Sequence, residues 1–153
     1  MKIEYLADRP EHIATVAAWH RREWGHLRPE ESLGTRASKL RASSGHQEIP
    51  TVFIASIGST LLGSAMLVAH DMDSRLQWSP WLAGVVVAPE HRRRGVGAAL
   101  AEHAAAEARA LGWPVLYLYT FSTEQYYTRL GWQLIERSIY FGEPVSIMSR
   151  SLN

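Results

Sequence analysis

The sequence predicts an α/β domain built on a mixed sheet, and three observations carry that prediction. Short apolar runs bounded by Gly, Pro, Asp or Ser recur from one end of the chain to the other. Two longer stretches, one near the N-terminus and one at 97–111, repeat apolar residues at the helical period. Their order, β-α-α-β-β-β-α-β-α-β-β, interleaves helices with strands and includes a hairpin, so strand directions are mixed. At 153 residues the chain is one domain's worth, residues 1–153, long enough to bury a core.

Each element has its own reason. Ile3 to Ala7 is a short strand, and Asp8-Arg9-Pro10-Glu11 is a helix-start signal with a capping carboxylate and a first-turn proline. The first helix carries Ile13, Val16 and Ala17 and a bulky end at Trp19, His20 and Trp24. A second runs from Ser32 to Ala42, with Leu33, Ala37 and Leu40 on one face. Residues 51–57 and 61–69 flank Gly58-Ser59 and read as a hairpin. Trp81 to Val87 is apolar throughout, as suits a strand covered on both faces. From Gly97, Leu100, Ala104, Ala108 and Leu111 line one helical face until Gly112. Val115 to Tyr119 is a buried strand. Ser122-Thr123-Glu124-Gln125 has capping-box form ahead of a short helix to Leu130. Residues 132–140 and 145–150 close the sheet through Gly142-Glu143-Pro144.

Composition excludes several function classes. A formal charge of +1 gives no global pull toward nucleic acid. The chain has no cysteine, hence no thiol nucleophile, disulfide frame or cysteine-built zinc site. Seven histidines are scattered without an H-E-x-x-H pairing, so no metal is expected. There is no signal-peptide apolar region and no apolar stretch near 18 residues, which makes a cytoplasmic protein without membrane contact the expectation.

The most informative stretch is VVVAPEHRRRGVGAAL, residues 85–100. A strand, a basic glycine-rich turn and a helix form an arrangement that binds phosphates. The first N–H groups of a helix lack internal partners and carry the positive end of its dipole. Glycines at 95 and 97 let an anion approach them, and Arg92, Arg93 and Arg94 add charge. A Walker A loop is excluded because no lysine follows Gly97. A dinucleotide fingerprint is excluded because Leu100 stands where a small residue is needed, and no acid follows at the required distance.

Arg92-x-x-Gly95-x-Gly97 resembles the [QR]-x-x-G-x-[GA] acetyl-CoA loop of the GNAT acetyltransferases. Tyr126-Tyr127-Thr128-Arg129-Leu130-Gly131-Trp132 is similar to that family's F-Y-x-x-x-G-[FW] segment, in the right order with a helix and a strand between. The likeness is close over the fourth to seventh strands and only topological before them. It implies the single-domain GNAT fold, a sheet of six or seven strands flanked by about four helices. It also implies direct transfer of acetyl from the thioester of acetyl-CoA, a co-substrate, to a primary amine of a small molecule or peptide N-terminus. The direct connection from Thr120 to the tyrosine pair, and Glu23-Trp24 in the first helix, resemble the actin-type N-terminal acetyltransferase branch.

Carried over by position, the resemblance implies that Val85, Val86 and Val87 pair with the pantetheine arm. An N–H near Val86 then faces the thioester oxygen. Arg93, Arg94, Gly95, Val96, Gly97 and Ala98 hold the pyrophosphate with Arg92 at the loop's start, Thr120 or Ser122 stands in for a missing CoA-binding asparagine, and Tyr127 protonates the departing thiolate. The usual acid of the fourth or fifth strand is absent, since Tyr119 fills its slot. The base is therefore open among His70, Asp71, Asp73 and a water relayed through Tyr119. The acceptor site is expected between the first helices and the loop before the fourth strand, among Trp19, His20, Glu23, Trp24, His26, Trp78 and Trp81, with Asp71 nearby. A homodimer is one open arrangement. A non-catalytic acyl-CoA-binding module of the same fold is the competing function.

Overall fold

The apolar runs pair into one sheet. The computed structural model describes residues 1–153. Its strands are β1 (Lys2–Tyr5), β2 (Thr51–Ile57), β3 (Thr60–Val68), β4 (Trp81–Val87), β5 (Val115–Thr120), β6 (Gln133–Tyr140) and β7 (Glu143–Ser151). They lie in the order β1-β2-β3-β4-β5-β7-β6, and every neighbouring pair is antiparallel except β4 and β5. The helices are α1 (Ile13–Trp24), α2 (Leu33–Ala42), α3 (Val96–Ala110) and α4 (Glu124–Arg129).

Two layers of helix cover the sheet. Leu100, Ala104 and Ala108 of α3 bury against Phe53, Leu62, Leu82 and Leu116, their small side chains letting the helix approach closely. On the opposite face Val16 and Ala17 of α1 and Leu40 of α2 close over Val52, Ile54 and Met66. Each buried Leu, Ile, Val or Met side chain removes enough apolar surface from water to contribute roughly 1.5–3 kcal/mol. Leu111 and Leu33 fall off these stripes and are exposed.

Two helix-start signals work differently from their sequence reading. Asp8 caps nothing; its carboxylate pairs with His46 at 2.6 Å, and short 3-10 turns fill residues 6–12 before α1 begins at Ile13. Ser122 forms no capping box either. The Thr120 hydroxyl accepts from the N–H groups of Ser122 and Thr123, at 3.4 and 3.1 Å, and so holds the turn into α4. Ser32, by contrast, does cap α2, accepting from the Thr35 N–H at 3.0 Å.

The feature that positions the site is a bulge in β4. Ser64 stands opposite Val86 and Met66 opposite Ala83, so β4 spends one more residue than β3 over this interval. Gly84 takes up the excess with a left-handed φ of +58°. The alternation of side chains then reverses: Leu82 belongs to the α3 face, and beyond the bulge so do Val85 and Val87, while Val86 packs beside Trp19 under α1. Beyond the bulge β4 also leaves its parallel neighbour, since Trp81 opposite Tyr117 is the one paired position between β4 and β5.

Gly84→Ala is expected to destabilise the protein by about 2–3 kcal/mol, because it combines a left-handed backbone with a Cβ placed 3.2 Å from Met66 Sδ and 3.3 Å from the His20 ring. Gly58→Ala is the control. It has φ +57° but open space around its Cβ, and is expected to lose only the backbone part, about 1 kcal/mol. Urea unfolding of both variants measures the difference, and equal losses would remove the steric role of Gly84.

Candidate active site

Where β4 runs into α3 the backbone presents a row of free donors. Arg93, with φ +65°, and Gly95, with φ +77°, turn the chain sharply. Gly95 is the N-cap of α3, and no side chain caps the helix. The N–H groups of Arg93 through Ala98 donate to no backbone carbonyl, the first such bond being Ala99 N–H to Gly95 O at 3.0 Å. Such a nest of N–H groups at the positive end of a helix of this length is an anion cradle. It opens into a cavity of about 380 Å³ lined by Val85, Val87, Arg93, Gly97, Tyr126 and Tyr127, among others. A Cβ at Gly97 would come within 3.0 Å of the Tyr126 hydroxyl, so that hydroxyl sits this close to the cradle because residue 97 is glycine, while Val87 at 3.6 Å would be in ordinary contact.

The gap between β4 and β5 continues the cradle as a slot. Ala88 N–H donates to Leu62 O of β3 at 2.9 Å, so strand alternation turns the N–H groups of Val85 and Val87 the other way, into the gap. These free strand groups flank Val86 and can pair with an extended amide-bearing chain, as an added strand would.

At its far end the slot meets a second cavity of about 340 Å³, and Glu23, Val85, Thr123 and Tyr127 line both. Tyr127 is buried beside Tyr126 and Trp132, and burial pushes its phenol well above the usual range, so it stays protonated. Tyr119, on the second cavity's wall, is likewise held protonated, by burial and then by the charge of Asp71. Asp71 lines the same wall. Burial pushes its carboxyl up to about 7, against the opposing pull of Arg28 and Arg36. His20 lies on the α1 side of the cavity. Its Nε2 is buried without a hydrogen-bond partner, and burial holds its ring near 3, neutral at any working pH.

The structure brings together Val85, Val86, Val87, Arg92, Arg93, Gly95, Val96, Gly97, Ala98 and Tyr127 around the cradle and slot. Around the second cavity it gathers His20, Glu23, Trp24, Asp71, Tyr119 and Thr120. Other expected residues stand elsewhere, or line a cavity with their polar groups already engaged. His70 is exposed just beyond β3 and faces neither cavity, because the chain turns inward only at Asp71 and Met72. Asp73 is exposed as well. Trp81 is fully buried with Met72, Val145 and Ile147, its Nε1 donating to Trp78 O at 2.7 Å, so it is a core side chain and not part of an acceptor wall. Trp78 stacks on Tyr117, outside the cavity. Arg94 contributes its backbone N–H to the cradle, but its exposed side chain does not line the cavity. Arg92 spends its guanidinium on Val87 O and Glu23, at 3.2 Å each, and so clips the end of β4 to α1 instead of reaching inward. The Thr120 hydroxyl is occupied with Thr123, at 2.6 Å, and with the turn it holds.

Sequence reasoning missed Tyr126, Thr123, Arg28, Arg36 and Phe141. Tyr126 was recognisable as half of the tyrosine pair. Phe141 was not, since it lies on the tip of the β6–β7 hairpin and reaches the cavity only through the fold. No group of three or more His, Asp or Glu side chains is gathered so that it could hold a metal ion. No helix is long and apolar enough to cross a membrane.

The sequence profile of the Acetyltransferase (GNAT) family matches residues 13–132. Comparison with curated protein sequences finds no match. Among solved structures, an aminoglycoside 6'-N-acetyltransferase complexed with coenzyme A superposes with a TM-score of 0.78 at 16% identity, over 100% of this chain and 98% of the other. The aminoglycoside 6'-N-acetyltransferase of Enterococcus faecium gives 0.75 at 16%, over 100% and 98%. A Salmonella typhimurium protein provisionally assigned as an acetyltransferase, solved with acetyl-CoA, gives 0.75 at 18%, over 99% and 94%. At such identities the likeness is one of fold. None of these structures supports the likeness of the 120–127 connection to the actin-type branch.

Gly97→Val is expected to weaken CoA binding at least tenfold, about 1.4 kcal/mol. The branched side chain would drive the Tyr126 hydroxyl off the helix N-terminus and fill the cradle. Calorimetric titration of the folded variant checks it, and an unchanged affinity would contradict the cradle assignment.

Proposed function

The chain belongs to the GNAT acetyltransferase family, and from that premise we propose that it transfers acetyl from acetyl-CoA directly to the primary amine of a small molecule. One observation carries the reading: the cradle and the acceptor cavity are joined through the slot between β4 and β5, with Tyr127 at the junction. A module that only bound acyl-CoA would need the cradle. It would have no use for a second cavity that holds a carboxyl near neutrality.

The residues divide the work as follows. The free N–H groups of 93–98 hold the pyrophosphate with the Arg93 guanidinium, while the outward strand groups of Val85 and Val87 pair with the pantetheine amides. An N–H of the same stretch donates to the thioester oxygen as it gains charge. Asp71 is the base. Its carboxylate takes a proton from the acceptor's ammonium or from a water beside it, and the Tyr119 phenol, which remains protonated, orients that exchange. The neutral amine attacks the carbonyl carbon, the C–S bond breaks, and Tyr127 delivers its proton to the departing thiolate. His20 is too weak a base to compete with Asp71.

A base must be ionised to act, so turnover should rise with pH through about 7 and level off above it. Asp71→Asn is expected to remove that limb and lower turnover roughly 10²–10⁴-fold. His70→Ala should keep both the limb and the rate. Tyr127→Phe, which preserves the ring packing, should lower turnover with little change in the KM for acetyl-CoA. The assay is release of free CoA thiol in the presence of a panel of primary amines. A Tyr127→Phe enzyme with full turnover would make the phenol a packing group. An unaltered pH profile in Asp71→Asn would return the base to relayed water.

A further inference from the structure

The acceptor cavity holds acidic and basic side chains in equal number, but their charges are not equally free. Glu31 is committed to Lys39 at 2.5 Å and to Arg36 at 3.7 Å. Glu23 is committed to Arg92 at 3.2 Å and Arg22 at 3.7 Å. Each acid thus has its nearest cation outside the cavity, Lys39 for Glu31 and Arg92 for Glu23, and burial pushes the Asp71 carboxyl up to about 7. The cations fare differently. Arg28 lines the cavity with no carboxylate partner, its guanidinium over the Phe141 ring at 5.2 Å. Arg36 lines it too, loosely paired on one side and with its Nε buried and unbonded. Arg21, exposed at the mouth, has no acidic partner either. The surplus inside the cavity is positive.

Such a site repels a polycation, and a simple alkylamine leaves its guanidinium groups unused. From this surplus, and resting on the acetyltransferase reading above, we propose that the acceptor is an amine carrying its own carboxylate, a free amino acid, with Arg28 and Arg36 on the carboxylate and Asp71 facing the amine. Arg28, Arg36 and Asp71 line the same cavity, as an acceptor that carries both an amine and a carboxylate requires. A planar guanidinium matches a carboxylate in two parallel hydrogen bonds, and the Phe141 ring holds that of Arg28 in place. The reaction forms one N–C bond to the acetyl group and breaks the C–S bond. The amine proton passes to Asp71, the thiolate takes a proton from Tyr127, and the products are the N-acetylamino acid and CoA.

The test measures CoA thiol release by the intact protein with each proteinogenic amino acid, its carboxamide, its decarboxylated amine, spermidine and kanamycin. The best amino acid is expected to exceed its own carboxamide at least tenfold in kcat/KM. Arg28→Gln, at an exposed position, should collapse that preference toward unity, and Arg28→Lys should restore part of it. A carboxamide or decarboxylated amine used as well as the acid would overturn the proposal, as would spermidine or kanamycin as the best acceptor. Thiol release from none of these amines, with acetyl-CoA still bound, would instead overturn the transferase reading and this one with it.

Discussion

At Gly84 the fourth strand takes one residue more than its neighbour, and the working parts of the molecule follow from that excess. The bulge turns Val85 and Val87 toward the α3 face and breaks the pairing of β4 with β5 after Trp81. Strand groups that a continuous parallel sheet would use internally are left facing a gap. The next turn, through Arg93 and Gly95, aims the N-terminus of α3 at the mouth of the same gap. One end of the slot is therefore an anion cradle and the other a cavity of about 340 Å³, with unpaired strand between them. His20 and Met66 pack against the bulge so closely that a Cβ at 84 would meet them at 3.2–3.3 Å.

Burial sets the chemistry of the cavity more than neighbouring charge does. It is the largest influence on Asp71, Tyr119, Tyr127 and His20 alike, and in each it disfavours the ionised form. Two of these groups act on stability in opposite senses. As pH falls from 6.5 toward 3, unfolded chains protonate His20 while folded ones do not, so its contribution to stability is lost on acidification. As pH rises from 3.8 toward 7, unfolded chains ionise Asp71 while folded ones resist, so its contribution is lost in the other direction. Above neutrality Asp71 is a net cost to folding.

The fold was largely legible because its signals are local. Apolar runs, Gly58-Ser59 and the alanine face of α3 each announce themselves within a few residues. The cradle was legible for the same reason, since free helix N–H groups and glycines are contiguous in sequence. The second cavity was not, because it is assembled from the end of α1, the start of α2, the β3–β4 connection and the tip of the β6–β7 hairpin. Trp81 illustrates the difficulty. A tryptophan beside a cleft and one beneath it look alike in sequence, and only the strand's face, closed here by Met72, Val145 and Ile147, separates them. The three adjacent arginines also look alike in sequence, but on a sharp turn they point in different directions, and only Arg93 lines the cradle without another partner.

Amide hydrogen exchange tests directly whether the open edge of β4 beyond the bulge binds an extended chain. CoA should protect the N–H groups of Val85 and Val87 together with those of Val96 to Ala98. ADP, which shares the pyrophosphate but lacks the pantetheine arm, should protect only the second group. Protection of the α3 N-terminus by CoA with Val85 and Val87 exchanging as fast as in the free protein would contradict the account.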